Sequence, residues 1–444
     1  MAVSSIEGCI SSIEPRHTLI GQSGMLSTTG FGRESGGSAS AMHQLGPIDA
    51  IGTMRILHII PQFPYFGGGT IIGGYSTSVL GLARAQADAG ETVTILGYVR
   101  DPAGRGVVQD GLEVISLFDS ADPGTIRFGL DFIRESARWA ASRRDDFDVV
   151  HNHSGFPDYF LASDRVRRGT GLPSLHTMYC PIPASGGRFN LPIVRGMLRR
   201  AAGRMDRLLA MSRNVADSMS AWGLGDVQAV PPPVDLQRFM DGNDRESIRR
   251  DMGIADDEPV VLFVGNATEQ KNLAGTLEAF ALLVQQSPKA KLIMTTELPR
   301  TSSDEALQRL RSLMTSLKIE DRVIQLGIVD TMPGLMRACD VLVAPFKDSY
   351  GPSDYFMVVL EAMATGRPTI VSNVGGMPEV IADDRGRLVD PHDVQSIADG
   401  LATYVLDAEL RRTAGQAARR FAESTFQAST IADAHRSIYE EVVA

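Results

Sequence analysis

Four places in the sequence put useful side chains where a ligand would need them. Glu361 sits in the run MVVLEAMATG, where Met357, Leu360, Met363 and Ala364 recur at three- and four-residue steps. That spacing predicts one helix face, and a carboxylate inside it either points to solvent or is held for a ligand. Lys271 lies in NATEQKNLAG, between the strand-like PVVLFVG and a helical run. A lysine there offers a point charge beside the oriented N–H groups of a helix start, a good setting for phosphate, and Asn266 nearby adds an amide donor. Gly73 and Gly74 follow the first predicted strand, where a helix should begin. They read either as a flexible surface loop or as a close-approach site whose free N–H groups favour an anion. Imidazoles supply the fourth place. His176 is expected at the carboxyl end of a strand over Pro173–His176, and His151 and His153 about the end of a strand over Phe147–Asn152. Asp146 and Asp148 have the spelling of a metal pair, but they lead straight into a strand start and are not read as ligands.

These residues need elements to hold them. Gly366 and Pro368 stop the helix that carries Glu361, TIVS follows as a short β-branched strand, and GGMPEVI turns into another helix. Strand, loop and helix alternate in this way along most of the chain, which predicts parallel α/β sheets with ligands at the carboxyl ends of the strands. The first βα loop lacks a GxGxxG spacing, which argues against a nicotinamide dehydrogenase. Pro231–Pro233 suit a stiff connector between two domains. Residues 1–53 are rich in Gly, Ser and Thr without periodicity. They are expected to be a disordered extension and not a signal peptide, with Met54 an alternative start.

Glu361, AMATGRP and VGGMPEVI resemble the nucleotide-sugar site of retaining glycosyltransferases of the GT-B fold, glycosyltransferase family four. The resemblance spans about Arg55 to Val443 and is strongest in the second half. It implies an α/β fold of two Rossmann-like domains facing across a cleft. Residues 54–232 would bind the acceptor, 233–425 the nucleotide sugar, and 426–444 would form a tail helix crossing back. It also implies a donor that is a UDP- or GDP-sugar, a retaining transfer to a small-molecule acceptor, and neither cofactor nor metal. Residue by residue, Glu361 would hold the donor ribose. Lys271 and Asn266 would hold the diphosphate, although the family has arginine where Asn266 stands. Gly73 and Gly74 would lie near the donor phosphate, the backbone at Ile328 and Val329 near the base, and His176 near the transferred sugar. The family's first glutamate falls at Ser353, so its sugar contact passes to Ser353 or, with a shifted register, to Asp354. An epimerase or a phosphorylase of the same two-domain architecture is an alternative, and the two departures keep open a non-catalytic binder of sugar nucleotides, or transfer of an unusual sugar or to an unusual nucleophile such as a thiol.

Composition narrows the partners. A net charge of −10 argues against a nucleic-acid binder. Three scattered cysteines form neither a disulfide framework nor a metal spacing, which favours a reducing cytoplasm. No apolar run reaches the roughly eighteen residues of a membrane span. Leu191–Asp206, with Arg195, Arg199, Arg200 and Arg204, predicts a basic amphipathic helix. A solvated face is the favoured reading and docking on a membrane surface the other.

Overall fold

The computed structural model describes residues 52–444 apart from 63–64, 67–69, 72–73, 100–104, 123–124, 186, 241, 243, 297–302, 328, 330 and 350–352. The extension expected over 1–53 therefore lies almost wholly outside the described residues, as do Gly73 and Ile328.

Runs such as RILHIIPQ and VVLFV bury side chains on both faces, the pattern of strands covered by helices on each side. They build two sheets. The first runs, edge to edge, Val227–Ala229, Arg207–Ala210, Ser174–Met178, Val149–Ser154, Arg55–Gln62, Thr92–Tyr98, Leu112–Ser116 and Gly106–Gln109. All neighbours are parallel except the last pair. The second runs Val323–Leu326, Lys291–Thr295, Val260–Val264, Val341–Ala344, Thr369–Ser372 and Gly386–Val389, all parallel.

Helices cover both faces of the first sheet. On one face Leu57 and Ile59 pack with Phe128, Phe132 and Val166. Phe132 is 1% exposed, and burying such a ring contributes about 1.5–3 kcal/mol. The opposite face carries the helix Gly74–Asp88 and the tail helix Ala428–Val443, where Gln86 Nε2 donates to the Tyr439 hydroxyl at 3.3 Å. The chain leaves the first domain after Pro231–Pro233 and returns at Phe426–Gln427. These two crossings lie side by side: Val234 N donates to Phe426 O at 2.9 Å, and Val234 bridges Gln427.

The basic helix spans Pro192–Ala202, and its arginines mostly serve the domain. Arg195 donates to Trp222 O at 2.8 Å, Arg199 to Gly223 O at 3.0 Å, and Arg204, past its end, to Asp164 at 2.9 Å. Among the described residues, no helix is long and apolar enough to cross a membrane.

Candidate functional site

Carboxyl ends of strands from the two sheets meet at a hydrogen-bonded seam. Its first strand-end partner is Tyr179, whose carbonyl accepts from Asp354 N at 2.7 Å. Its second is the turn after Arg207–Ala210. There the Ser212 hydroxyl donates to Asp354 Oδ2 at 2.6 Å, and Asn214 Nδ2 to Oδ1 at 3.0 Å. Glu379 of the second domain accepts from the backbone N–H groups of Arg213 (3.0 Å) and Asn214 (2.8 Å) and from the Tyr355 hydroxyl (2.8 Å). It thus caps the first turn of the helix Arg213–Ala221 from across the seam, where an anion also complements the helix dipole. Gly375, at φ +56°, and Gly376 make room for the Asp354 carboxylate; a Cβ on either would come 2.5 Å from one of its oxygens.

Asp354 is fully buried, and burial raises its carboxyl pKa although hydrogen bonds from Ser212, Asn214, Ser349 and Gly376 oppose the shift. Both of its oxygens are engaged in holding the domains together. Ser353 is also buried, with its hydroxyl donating to Tyr355 O at 2.8 Å. Gly74 opens its helix against that hydroxyl, and Ser78 Oγ lies 3.2 Å from Met357 Sδ.

Lys271 and Glu361 stand apart from these satisfied groups. Lys271 ends a short 3₁₀ turn after the strand Val260–Val264, and Asn272 (φ 55°) ties the turn down by donating to Pro345 O and Pro391 O. The Lys271 ammonium lies 3.7 Å from the centre of the Phe346 ring and 5.8 Å from that of Phe356. Burial lowers its pKa to about 8, with Asp348 opposing. Glu361 lies mid-way along the helix Met357–Ala364. Burial pushes its carboxyl up to about 7, with Arg238 opposing. Neither charged group hydrogen-bonds to a protein partner among the described residues. Asn266 accepts from the Thr268 hydroxyl at 2.7 Å, and Val329 packs against the core.

The histidines sit elsewhere than expected. The strand Ser174–Met178 continues two residues past His176, so His176 is mid-strand, paired with Asn152 and Leu208, and not at a carboxyl end. Its ring is 1% exposed between the Ser154 hydroxyl (2.8 Å) and the Ser163 hydroxyl (2.7 Å), and burial lowers its pKa to about 3. His151 and His153 likewise lie inside Val149–Ser154 and share a buried cluster with His58 and His435. Hydrogen bonds fix the tautomers. His58 Nε2 donates to Gln86 Oε1, so His58 Nδ1 accepts from His153 Nε2, and His153 Nδ1 accepts from the Tyr179 hydroxyl. The Tyr439 hydroxyl, which accepts from Gln86, donates to His151 Nδ1, leaving Nε2–H to donate to Thr177. Nitrogens of His58, His151 and His153 all lie within 4.8 Å of one another. Every acceptor lone pair is already occupied, so a metal ion would have to displace three hydrogen bonds. Asp148 is equally committed, paired with Arg55 at 2.6 Å.

Sequence reasoning missed the seam residues Ser212, Asn214 and Glu379. Ser212 carried a local signal, a serine after a strand and before a helix, and its hydroxyl does accept from Val215 N as an N-cap.

Residues 73–233 match the family described as glycosyl transferase 4-like domain, and residues 244–421 match glycosyl transferases group 1. The D-inositol 3-phosphate glycosyltransferase of Streptomyces avermitilis is 30% identical over 68% of this chain and 67% of its own length. The chain belongs to the group 1 glycosyl transferases. Another relative of this glycosyltransferase is the N-acetyl-alpha-D-glucosaminyl L-malate synthase of Bacillus anthracis, 27% identical over 68% of this chain and 77% of the relative. Among solved structures, Anabaena Alr3699/HepE in complex with UDP-glucose aligns with a TM-score of 0.69 at 18% identity, covering 87% of this chain and all of that one. The two facing α/β domains are those of the GT-B glycosyltransferases.

Proposed function

We propose that this glycosyltransferase moves a sugar from a nucleoside diphosphate sugar to a small hydroxylated acceptor with retention of anomeric configuration. The observation that carries the donor assignment is the pair of half-buried charges at the carboxyl edge of the second sheet, neither of which hydrogen-bonds to another residue among those described. Glu361 offers a carboxylate to the two hydroxyls of a ribose. Lys271 offers an ammonium to a diphosphate, with the amides that open the helix Leu273–Gln286 close by in the chain. A cation already in place stabilises the charge that grows on the leaving diphosphate, so the reading calls for no resident metal.

Retention fits the commitments of the seam carboxylates. Asp354 and Glu379 are both held by several donors, so neither is presented as a nucleophile. The acceptor hydroxyl then attacks on the face the diphosphate leaves, and a phosphate oxygen takes its proton. The structure solved with UDP-glucose supports a uridine donor, and the names of the two curated relatives support a small acceptor such as an inositol phosphate or malate. UDP-glucose, UDP-N-acetylglucosamine and GDP-mannose should therefore be incubated with a panel of polyols and hydroxy acids, and the product anomer read by NMR. Transfer with an α-linked product from an α-linked donor is expected. A β-linked product would overturn the mechanism, and turnover of donor without any acceptor would replace transfer by epimerisation.

A further inference from the structure

A second, separate pocket lies at the opposite edge of the second sheet. Asp340 and Gly366–Pro368, which line it, precede the strands Val341–Ala344 and Thr369–Ser372, so it faces the amino ends of those strands and not the donor edge. Its other wall is the helix Ala408–Thr425. The cavity holds about 320 Å³, the low end of the range for small-ligand sites. Four arginines line it, Arg367, Arg411, Arg412 and Arg419, against one carboxylate, Asp340.

That carboxylate is already neutralised from behind. Asp340 Oδ1 pairs with Arg245 at 2.7 Å, and Oδ2 accepts from Val260 N at 2.8 Å and lies 3.5 Å from Arg249. Arg411 donates to the carbonyls of Tyr404 and Val405, with Asp340 at 3.9 Å. Arg412 and Arg419 pair outward with Glu409 and Glu423. Arg367 is left over. Its Nε is buried without a hydrogen-bond partner, and its guanidinium makes no hydrogen bond among the described residues. It is held next to the like charges of Arg245 and Arg411, and burial is the largest influence opposing its charge. An arginine stays protonated, so a half-buried guanidinium, its Nε dry and unanswered, stands at a pocket wall with its remaining donors free for a ligand.

We propose that this pocket binds a phosphate-type oxyanion, either free phosphate or the phosphate group of a small monoester, between Arg367 and the arginines of the helix Ala408–Thr425. A tetrahedral oxyanion matches the planar guanidinium forks and supplies the missing counter-charge. The experiment uses the full chain. Melting temperature and calorimetry are followed with potassium phosphate and with a hexose 6-phosphate, against potassium chloride at equal ionic strength. Both phosphates should stabilise the protein beyond chloride, and Lys271→Ala, which disables the proposed donor contact, should retain the effect. Arg367→Gln should weaken phosphate binding at least tenfold. Tighter binding of the monoester would identify the ligand as a phosphorylated metabolite, and equal binding would identify it as free phosphate. If Arg367→Gln does not fold, Arg412→Gln at the exposed rim is read instead, with a severalfold weakening expected. Stabilisation no greater than chloride gives, undiminished binding in the arginine variant that folds, or loss of binding in Lys271→Ala would each overturn the proposal.

Discussion

An ammonium 3.7 Å from the centre of a phenylalanine ring has lost part of its water, and the Glu361 carboxyl is likewise half-buried. Each is poised near neutrality by desolvation, in opposite directions. In the proposed roles the carboxylate would accept ribose hydroxyls only when ionised, above about pH 7, and the ammonium would hold a diphosphate only when protonated, below about pH 8. Donor capture, measured as kcat/KM against pH, should therefore be bell-shaped with limbs near 7 and 8. Glu361→Gln should remove the acid limb and weaken nucleoside and diphosphate alike, roughly tenfold to a hundredfold at an expected 1.5–3 kcal/mol per charged hydrogen bond. Lys271→Ala should remove the alkaline limb and spare the plain nucleoside. Equal losses for both ligands in Lys271→Ala would reject its assignment to the phosphates.

At the scale of elements, the helix Gly74–Asp88 and the helix Met357–Ala364 touch end to end across the seam. A Cβ at Gly74 would stand 2.7 Å from Ser353 Oγ, so Gly74→Ala forces that hydroxyl, or the loop that carries it, to give way at the seam. Stability should change little, because Gly74 opens the helix and its backbone suits alanine. Turnover should fall about tenfold, since a misplacement of about 1 Å can cost a hundredfold. An unchanged kcat would show that turnover does not need this closed seam. The same elements show what the sequence discloses. Long buried strands such as Arg55–Gln62 and Val260–Val264 were plain in their unbroken apolar runs, and the Glu361 helix was plain in its spacing. The edge strands Gly106–Gln109 and Val227–Ala229 were not, because they are short and half-exposed. His176 was misplaced because SLHTM has no turn residue to mark where the strand ends. The seam was invisible, since Ser212 and Asp354 are 142 residues apart and nothing local ties them.

For the whole molecule, the buried histidines bear on folding. His58, His151, His153, His176 and His435 are all buried, and burial lowers every one of their pKa values below the ordinary 6.5. An unfolded chain takes up protons at these positions near pH 6.5, while the folded chain refuses them until about pH 4 at His58 and His435, about pH 3 at His176, and well below 6.5 at His151 and His153. Stability should thus be full above pH 7 and fall as the pH drops from 6.5 towards 4, by up to about 1.4 kcal/mol per unit for each histidine. Urea midpoints across that range give the slope, and His435→Gln should lower it by one proton's share. A flat profile would mean that the rings are not kept neutral.

Because Val234 N reaches Phe426 O at 2.9 Å, the stretch between them begins and ends at one point, and the chain on either side belongs to the other domain. In gene terms the second domain is an insert: a cassette spliced into a first domain that is discontinuous in sequence. Such a cassette should be portable. Residues 234–427 expressed alone should fold and bind a nucleoside diphosphate within about tenfold of the full chain, because Lys271 and Glu361 both travel with it. Residues 52–233 alone should not fold, because Tyr439 and His435 of the tail helix, which close the histidine cluster, would be left behind. Adding 428–444 through a short linker across the vacated junction should restore folding, as judged by a cooperative urea transition. Failure of that rejoined domain would show that the insert is not separable.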